Sequence, residues 1–189
     1  MLPETGESIL NMRKDIYLKP IKRDDLYLIW VVSYGSKADL EWMKYNGPYF
    51  NNPVESWTEF EIGYGESLID NPMCKAIVVN NQIIGLVTAY WEDGELRQWL
   101  EVGILIYVSR LWGRNIGTIA LSMWITELFD KFEHLPHIGF TTWSGNPGME
   151  KIGTKCGMKK EARIRKVRYV DGTYYDSVKY GILRDELKD

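Results

Sequence analysis

Two places in this sequence gather residue types that can do chemistry. The first is Trp112, Gly113, Arg114, Asn115, Ile116, Gly117 and Thr118, a turn with two glycines that opens directly into a run of helical periodicity. Helix geometry leaves the first N–H groups of such a run without acceptors inside the helix, and they carry the positive end of the macrodipole. The position therefore favours an anion such as a pyrophosphate. Glycine lets backbone approach that anion closely. The stretch has neither the GKS or GKT of a P-loop nor a GxGxxG, so on its own an ordinary strand-to-helix turn stays open as the blander reading. The second place is Glu101, a lone carboxylate in a stretch otherwise apolar from Trp99 to Val108. Burial would raise its pKa toward that of a useful general base. The alternative is a structural ion pair with Arg97, Arg163 or a similar partner.

The other reactive side chains carry less. Cys74 and Cys156 lie far apart, with no CxxC and no histidine spacing that completes a zinc site, so no metal is expected and a reducing compartment suits the chain. Cys156 has no neighbouring histidine to activate it and reads as a packing residue. His134 and His137 flank Leu135 and Pro136 at a connection, where a solvated or capping role is the usual one. Lys159, Lys160, Arg163, Arg165, Lys166 and Arg168 alternate partly with apolar residues, as a strand with one wet face does. Lys and Arg number 23 against 26 Asp and Glu, a net charge of −3. That balance offers a polyanion no attraction, so nucleic acid is not expected as a partner. No apolar run reaches the roughly 20 residues of a membrane span, and the first 15 residues are polar, unlike a signal peptide. A cytoplasmic protein is expected. Leu2 to Gly6 spell LPETG, which resembles a wall-sorting signal but lacks the apolar tail and basic end that such a signal needs.

These residues need elements to position them. At 189 residues and 45% hydrophobic content the chain suits one domain, 14–189, behind a poorly ordered extension, 1–13. Residues 14–20 read as a first strand, and Arg23, Asp24 and Asp25 open a short helix through Trp30. Residues 34–52 suggest a short helix and a loop. Pro53 and Glu55 start a helix that ends near Asn71 and Pro72. Ala76–Val79 and Gln82–Tyr90 form a hairpin about Asn80 and Asn81. Gln98–Val108 is the most apolar stretch and reads as a central strand buried on both faces. From Ile116 to Phe132 apolar residues recur along one helical face. A strand at His137–Trp143, a helix at Asn146–Cys156, and a closing hairpin of Ala162–Val170 with Thr173–Leu183 complete a mixed sheet flanked by helices.

The order of these pieces resembles a known family. WLEVGILIYVSRLWGRNIGTIAL, residues 99–121, looks like the coenzyme A signature of the GNAT superfamily of N-acetyltransferases, in particular the ribosomal-protein-alanine N-acetyltransferases: a strand, a Q/RxxGxG/A loop and a long helix. DIYLKPIKRDDL resembles the opening strand and helix, NNQIIGLVTAY the substrate-side hairpin, NPGMEKIGTKCGM the Asn-led helix, and RKVRYVDGTYYDSVKYGILRDEL the closing hairpin. Trp112 stands at the usual Gln or Arg, Asn115 at the first motif glycine and Gly117 at the second. Asn enters left-handed backbone space more readily than other non-glycine residues, so the turn can survive.

The resemblance implies an α/β fold with a mixed, mostly antiparallel sheet of six to seven strands, helices on both faces and a splayed parallel strand pair. It implies transfer of an acetyl group from acetyl-CoA to a primary amine, a protein N-terminus or a small molecule, by direct attack. The pantetheine arm would pair with Ile104, Ile106 and Val108 and meet Asn146. The amides of residues 113–118 would take the pyrophosphate, with Arg114 for charge-assisted contact. Glu101 matches the family's base, and a backbone N–H near Ile106 would hold the oxyanion. The family's Tyr or Ser acid is replaced by Met149 and Gly153, leaving Thr154, Tyr175 or water. Trp42, Tyr45, Tyr49 and Phe50, with Trp57, are candidates for the acceptor side, with core packing as the rival reading. A coenzyme-binding regulator without turnover is the alternative function, and a homodimer is one option for assembly.

Overall fold

The computed structural model describes residues 16–187, so the expected N-terminal extension and the LPETG string lie outside the described residues. Strand β1 (Ile16–Lys19) pairs antiparallel with β2 (Cys74–Val79), Ile16 opposite Val79 and Lys19 opposite Ala76. Asp25, buried, then organises the start of the first helix: its carboxylate accepts from the Lys22 amide at 3.0 Å and from Lys19 Nζ at 2.6 Å. Helix α1 (Leu26–Ser33) runs past Trp30 and ends at Ser33, whose hydroxyl bonds back to the Ile29 carbonyl.

Residues 34–52 hold no regular helix. Two 3-10 turns stand there, Leu40–Lys44 and Pro48–Phe50, the second bracketed by Gly47 and Asn51 in left-handed conformation, which blocks helical continuation on both sides. The single helix expected from Pro53 onward is also broken. Its start is a capping box at Ser56, whose hydroxyl accepts from the Glu59 amide while Glu59 accepts from the Ser56 amide. Helix α2 (Trp57–Phe60) passes into a wide turn, Glu61–Gly65, with Gly63 outside helical space, and ends as α3 (Glu66–Leu68). The break follows from the lack of a side chain at Gly63 and Gly65, for a Cβ at Gly65 would stand 2.7 Å from the Phe60 carbonyl.

The hairpin of β2 and β3 (Gln82–Trp91) turns on Asn80 and Asn81, both left-handed, as their residue types predict. Strand β4 (Leu100–Ile106) is shorter than the apolar run that contains it. Arg97 in left-handed space and the Gln98 amide bound to Asp93 keep its start in a loop, and Val108 already leads a 3-10 turn, Ser109–Leu111. Burial on both faces holds only for Leu100, Glu101 and Val102; Gly103 to Ile106 are half-buried. Helix α4 (Ile116–Lys131) falls where the periodicity puts it. Its end is tied down by Arg184, which donates to the α4 carbonyl of Phe129 at 3.0 Å and, in the connection that follows, to Phe132 O at 2.7 Å and Leu135 O at 2.9 Å. Strand β5 (His137–Trp143) is followed by α5 (Pro147–Lys155), capped by Asn146, whose side chain accepts from the Met149 amide. Strands β6 (Lys159–Val170) and β7 (Thr173–Leu183) close the chain about Asp171 and Gly172, with β6 starting three residues before the expected Ala162.

The strands form one sheet in the order β1-β2-β3-β4-β5-β7-β6, mostly antiparallel, with β4 and β5 as the parallel pair. The fold class is the one expected. Two compact units divide the chain: the described residues to Trp42 with Val54–Val87 and Ile104–Ala120, and Met43–Pro53 with Thr88–Gly103 and everything from Leu121. Ile29, Phe60, Ile77, Leu86 and Tyr107 lie in the core of the first, and Leu100, Trp124, Phe129, Phe140 and Val178 in that of the second. β3, β4 and α4 run through both.

Within the first unit β3 and β4 approach so closely that a Cβ at Gly85 would stand 2.0 Å from the Leu105 carbonyl oxygen. Backbone would have to move. Gly85→Ala is expected to cost about 1–3 kcal/mol or more, read as a lower urea midpoint at constant slope; an unshifted midpoint would contradict the close approach.

Candidate active site

Glu101 stands on β4 at the last position paired with β5, opposite Gly139. Strand alternation puts Thr141, two residues along β5, on the same face, and Lys179 lies opposite Thr141 on β7. The three side chains meet. Glu101 is 1% exposed, and its Oε1 accepts from Lys179 Nζ at 2.8 Å and from Thr141 Oγ1 at 2.9 Å. Oε2 accepts from the Tyr90 hydroxyl, on β3, at 2.8 Å. Lys179 Nζ also donates to Thr141 Oγ1 at 2.7 Å and Glu92 Oε1 at 3.3 Å, and stands 4.8 Å from the centre of the Trp99 ring.

Glu101 is therefore not the unpaired carboxylate that its apolar surroundings suggest. Its counter-ion is Lys179, neither Arg97 nor Arg163; Arg163 is engaged with Asp176. Burial works against the charge of Lys179, but hydrogen bonding to Glu101 and its charge, and then Glu92, more than offset it and hold the ammonium above its ordinary pKa. The Tyr90 phenol is pushed well above the usual range, first by burial and then by the charge and hydrogen bond of Glu101, with Glu92 and Tyr49 adding to it. The network thus holds a carboxylate, an ammonium and a neutral phenol in contact. Lys179, Tyr90 and Thr141 were not singled out from sequence; the one available signal was a lysine in the polar row Ser177, Lys179, Gly181 of an alternating strand.

The glycine-bearing turn is built as its residues suggest. Gly113 and Asn115 both take left-handed conformations, at φ 73° and 66°, so Asn115 does the work of the glycine whose motif position it fills. The Asn115 carbonyl accepts from the Ile119 amide and begins the helix ladder. Gly113 and Arg114 are exposed, Gly117 is buried, and Thr118 is half-buried. Space beside Gly113 is open, with nothing within 4 Å of where a Cβ would sit. Trp112 turns its indole back onto the preceding strand, donating to the Ile106 carbonyl at 2.9 Å. Ile104, Ile106 and Val108 are half-buried apolar residues.

The expected acceptor residues belong to both units. Trp42 is a core side chain of the first unit, 5% exposed, bonded to Ser33 O and packed against Tyr34 and Tyr107. Trp57 packs with Tyr27 and Trp30 in the same unit. Tyr45, Tyr49 and Phe50 belong to the second unit. Trp143 Nε1 and Asn146 Nδ2 both donate to the Tyr45 carbonyl, and the Tyr49 ring meets Phe50, Trp143 and the Arg168 guanidinium. Thr154 donates to the Glu150 carbonyl, whereas Tyr175 stands edge-on to Trp143 at 4.8 Å. Burial pushes the Cys74 thiol up to about 12 and also raises Cys156, so neither is disposed to act as a thiolate. Among the described residues no group of three or more His, Cys, Asp or Glu is placed to hold a metal ion, and no helix is long and apolar enough to cross a membrane.

The Acetyltransferase (GNAT) domain family matches residues 15–159. The SPbeta prophage-derived uncharacterized N-acetyltransferase YokL of Bacillus subtilis is 23% identical over 145 residues, 75% of either chain. Among solved structures, a GNAT-family acetyltransferase from Bacillus anthracis superposes with a TM-score of 0.72 at 16% identity, over 90% of this chain and 96% of that one. A spermidine N-acetyltransferase from Vibrio cholerae, in complex with CoA and spermine, gives 0.71 at 22% identity, over 92% and 98%.

Removing one partner of a buried pair strands the other charge. Lys179→Met is expected to cost about 3–5 kcal/mol by urea denaturation. Because the folded pKa of Lys179 lies above the unfolded value of about 10.4, its contribution is complete below that pH and is lost as pH climbs through the higher folded value. As pH is raised from neutrality, the stability gap between wild type and Lys179→Met should therefore persist until strongly alkaline solution; a gap that closed on that limb below the ordinary lysine range would contradict the pairing.

Proposed function

Because this chain belongs to the GNAT acetyltransferase family and is an acyl-CoA-dependent N-acetyltransferase, we propose that residues 14–189 act as one domain that acetylates a primary amine by direct attack, Glu101 taking the amine's proton through the Tyr90 hydroxyl. The observation that carries this is a contrast in burial. Glu101 is 1% exposed, while Tyr90, 2.8 Å from its Oε2, is 45% exposed. A carboxylate this deep exchanges protons with an acceptor through a group that reaches the surface. Lys179 is a protonated donor and Thr141 is turned into the pair, which leaves the Tyr90 oxygen to receive the amine. As the amine attacks, its proton passes to that oxygen while the phenolic proton passes to Oε2. Lys179 and Thr141 hold Oε1 and fix the carboxylate during the exchange.

Acetyl-CoA supplies the thioester carbonyl and the thiolate leaving group. The left-handed Gly113 and Asn115, the open space at Gly113 and the helix start at Ile116 suit a diphosphate on the amides of residues 113–118, with Arg114 beside it. The half-buried end of β4 suits pairing of a pantetheine arm with Ile104, Ile106 and Val108; Asn146, the cap of α5, is assigned to the same arm by the family resemblance. The oxyanion is assigned to the backbone N–H of Ile106, a donor at the end of β4, as the family resemblance implies. Tyr175 is the better placed general acid, since the Thr154 proton is committed to a carbonyl. The acceptor is a protein N-terminus, as the ribosomal subgroup suggests, or a small amine, as the Vibrio cholerae enzyme suggests, in the cytoplasm.

Thiol release with acetyl-CoA and a panel of amines tests this reading. Glu101→Gln is expected to lower kcat by about 10² to 10⁴ with coenzyme affinity by calorimetry retained, and Tyr90→Phe to fall in the same direction. Unchanged turnover in Glu101→Gln would remove it from the mechanism; loss in Glu101→Gln with a fully active Tyr90→Phe would remove the relay alone. Tight coenzyme binding without product from any amine would favour the regulator, to which the missing Tyr or Ser at Met149 and Gly153 also points.

A further inference from the structure

Three of the six basic residues of β6 are matched by acids. Lys159 pairs with Glu186, Lys160 with Glu150 and Arg163 with Asp176. Arg168 is different: it has no acidic partner among the described residues, its guanidinium carbon stands 4.7 Å from the centre of the Tyr49 ring, its Nε is buried, and the residue as a whole is half-buried. A guanidinium without an acid is best matched by a carboxylate at the outer fork of the group. The strand is shaped to put this residue there. Between Ile164 opposite Ser177 and Arg168 opposite Tyr175 the register slips, three β6 residues facing the single Asp176. Lys166 takes a left-handed conformation in that bulge, and Asp176 holds it by accepting from the Lys166 amide and from Arg163.

The bulge brings Arg168 onto the face that carries the Glu101 network. Alternation along β5 and β7 sets Thr141 and Trp143, and Lys179, Ser177 and Tyr175, on one side of the sheet, and Arg168 shares that side with Tyr175. Tyr49 links the two ends: its ring contacts Trp143 and the guanidinium, and its hydroxyl is near enough to Tyr90 to disfavour that phenol's ionisation. From Lys179 to Tyr175 is four residues of strand, about 13 Å at about 3.3 Å each.

We propose that Arg168, opposite Tyr175 and so about 13 Å along the sheet from Lys179, is an anion-binding residue of the acceptor site that receives a carboxylate remote from the amine to be acetylated. The assignment rests on the amine-acetylation reading and narrows it to acceptors such as short peptides that carry an acidic group. A polyamine of similar length brings a second ammonium toward the guanidinium instead, and is disfavoured by like charge. Four extended residues span the distance, so tetraglycine is the natural probe.

Binding to the protein with CoA present, by calorimetry, and thiol release with acetyl-CoA are measured for tetraglycine, tetraglycine amide, Gly-Gly-Gly-Asp-amide and spermidine. Wild type is expected to favour tetraglycine over its amide by about tenfold or more, and Arg168→Gln to bring that ratio near one; Arg168→Lys, which keeps charge but not the planar fork, recovers part of it. A response to the aspartyl amide as well places the carboxylate on a side chain, and none confines it to a C-terminus. A merely structural Arg168 would lower the thermal midpoint and leave the acid-to-amide ratio intact, which overturns the proposal. So does a wild type that does not tell acid from amide, or one that prefers spermidine. If thiol release fails with every amine while the acid-to-amide binding ratio still depends on Arg168, the transfer reading falls and the anion site stands; equal release from acid and amide gives the reverse.

Discussion

One buried ion pair sets the terms for this fold. Glu101 is withdrawn from water inside an otherwise apolar strand, a placement that costs several kcal/mol unless a counter-ion and hydrogen bonds replace the lost hydration. Lys179, Thr141 and Tyr90 supply that replacement from three different strands. The pair therefore reports on the register of β4 against β5 and of β5 against β7 together: a slip of one residue in either would turn Thr141 or Lys179 to the opposite face and leave the carboxylate bare. Few apolar contacts discriminate register so sharply. The same arrangement fixes the carboxylate in three dimensions by charge and hydrogen bonds, so that in the proposed mechanism it is preorganised before any substrate arrives.

Strand β4 divides its labour along its length. Its first three residues are buried and belong to the ion pair; its last four are half-buried and lead to the turn at Gly113 and Asn115. Continuous apolar sequence hides this change. Hydrophobicity reads both halves as buried, whereas half of the strand is apolar yet only half covered. An apolar strand left partly uncovered gains from a further apolar cover, which the coenzyme arm proposed above would supply.

What the sequence disclosed was local. The Asn80–Asn81 turn, the α4 periodicity, β5 to the residue and the hairpin about Asp171 and Gly172 each rest on signals within a dozen residues, and each stands where those signals put it. The left-handed Asn115 was legible for the same reason. Failures came from two sources. Glycine breaks at Gly63 and Gly65 divided a helix that apolar spacing alone made continuous, and Gly47 with Asn51 held the next irregular stretch to single turns. Long-range partners were beyond reach: Lys179 is 78 residues from Glu101, and nothing near either residue names the other. Trp42 illustrates the limit for aromatics, since only its bond to Ser33 and its packing on Tyr107 distinguish a core indole from one that meets a ligand.

The clasp of Arg184 on the end of α4 has a bearing on how the chain acquires its form. The carbonyls of Phe129, Phe132 and Leu135 are exported from the ribosome about fifty residues before the guanidinium that closes them, several seconds at ordinary elongation rates. Until then the helix terminus must rely on water. Closure of that terminus by Arg184 thus waits for residues made after β7, which ties the end of an early helix to a much later part of the chain.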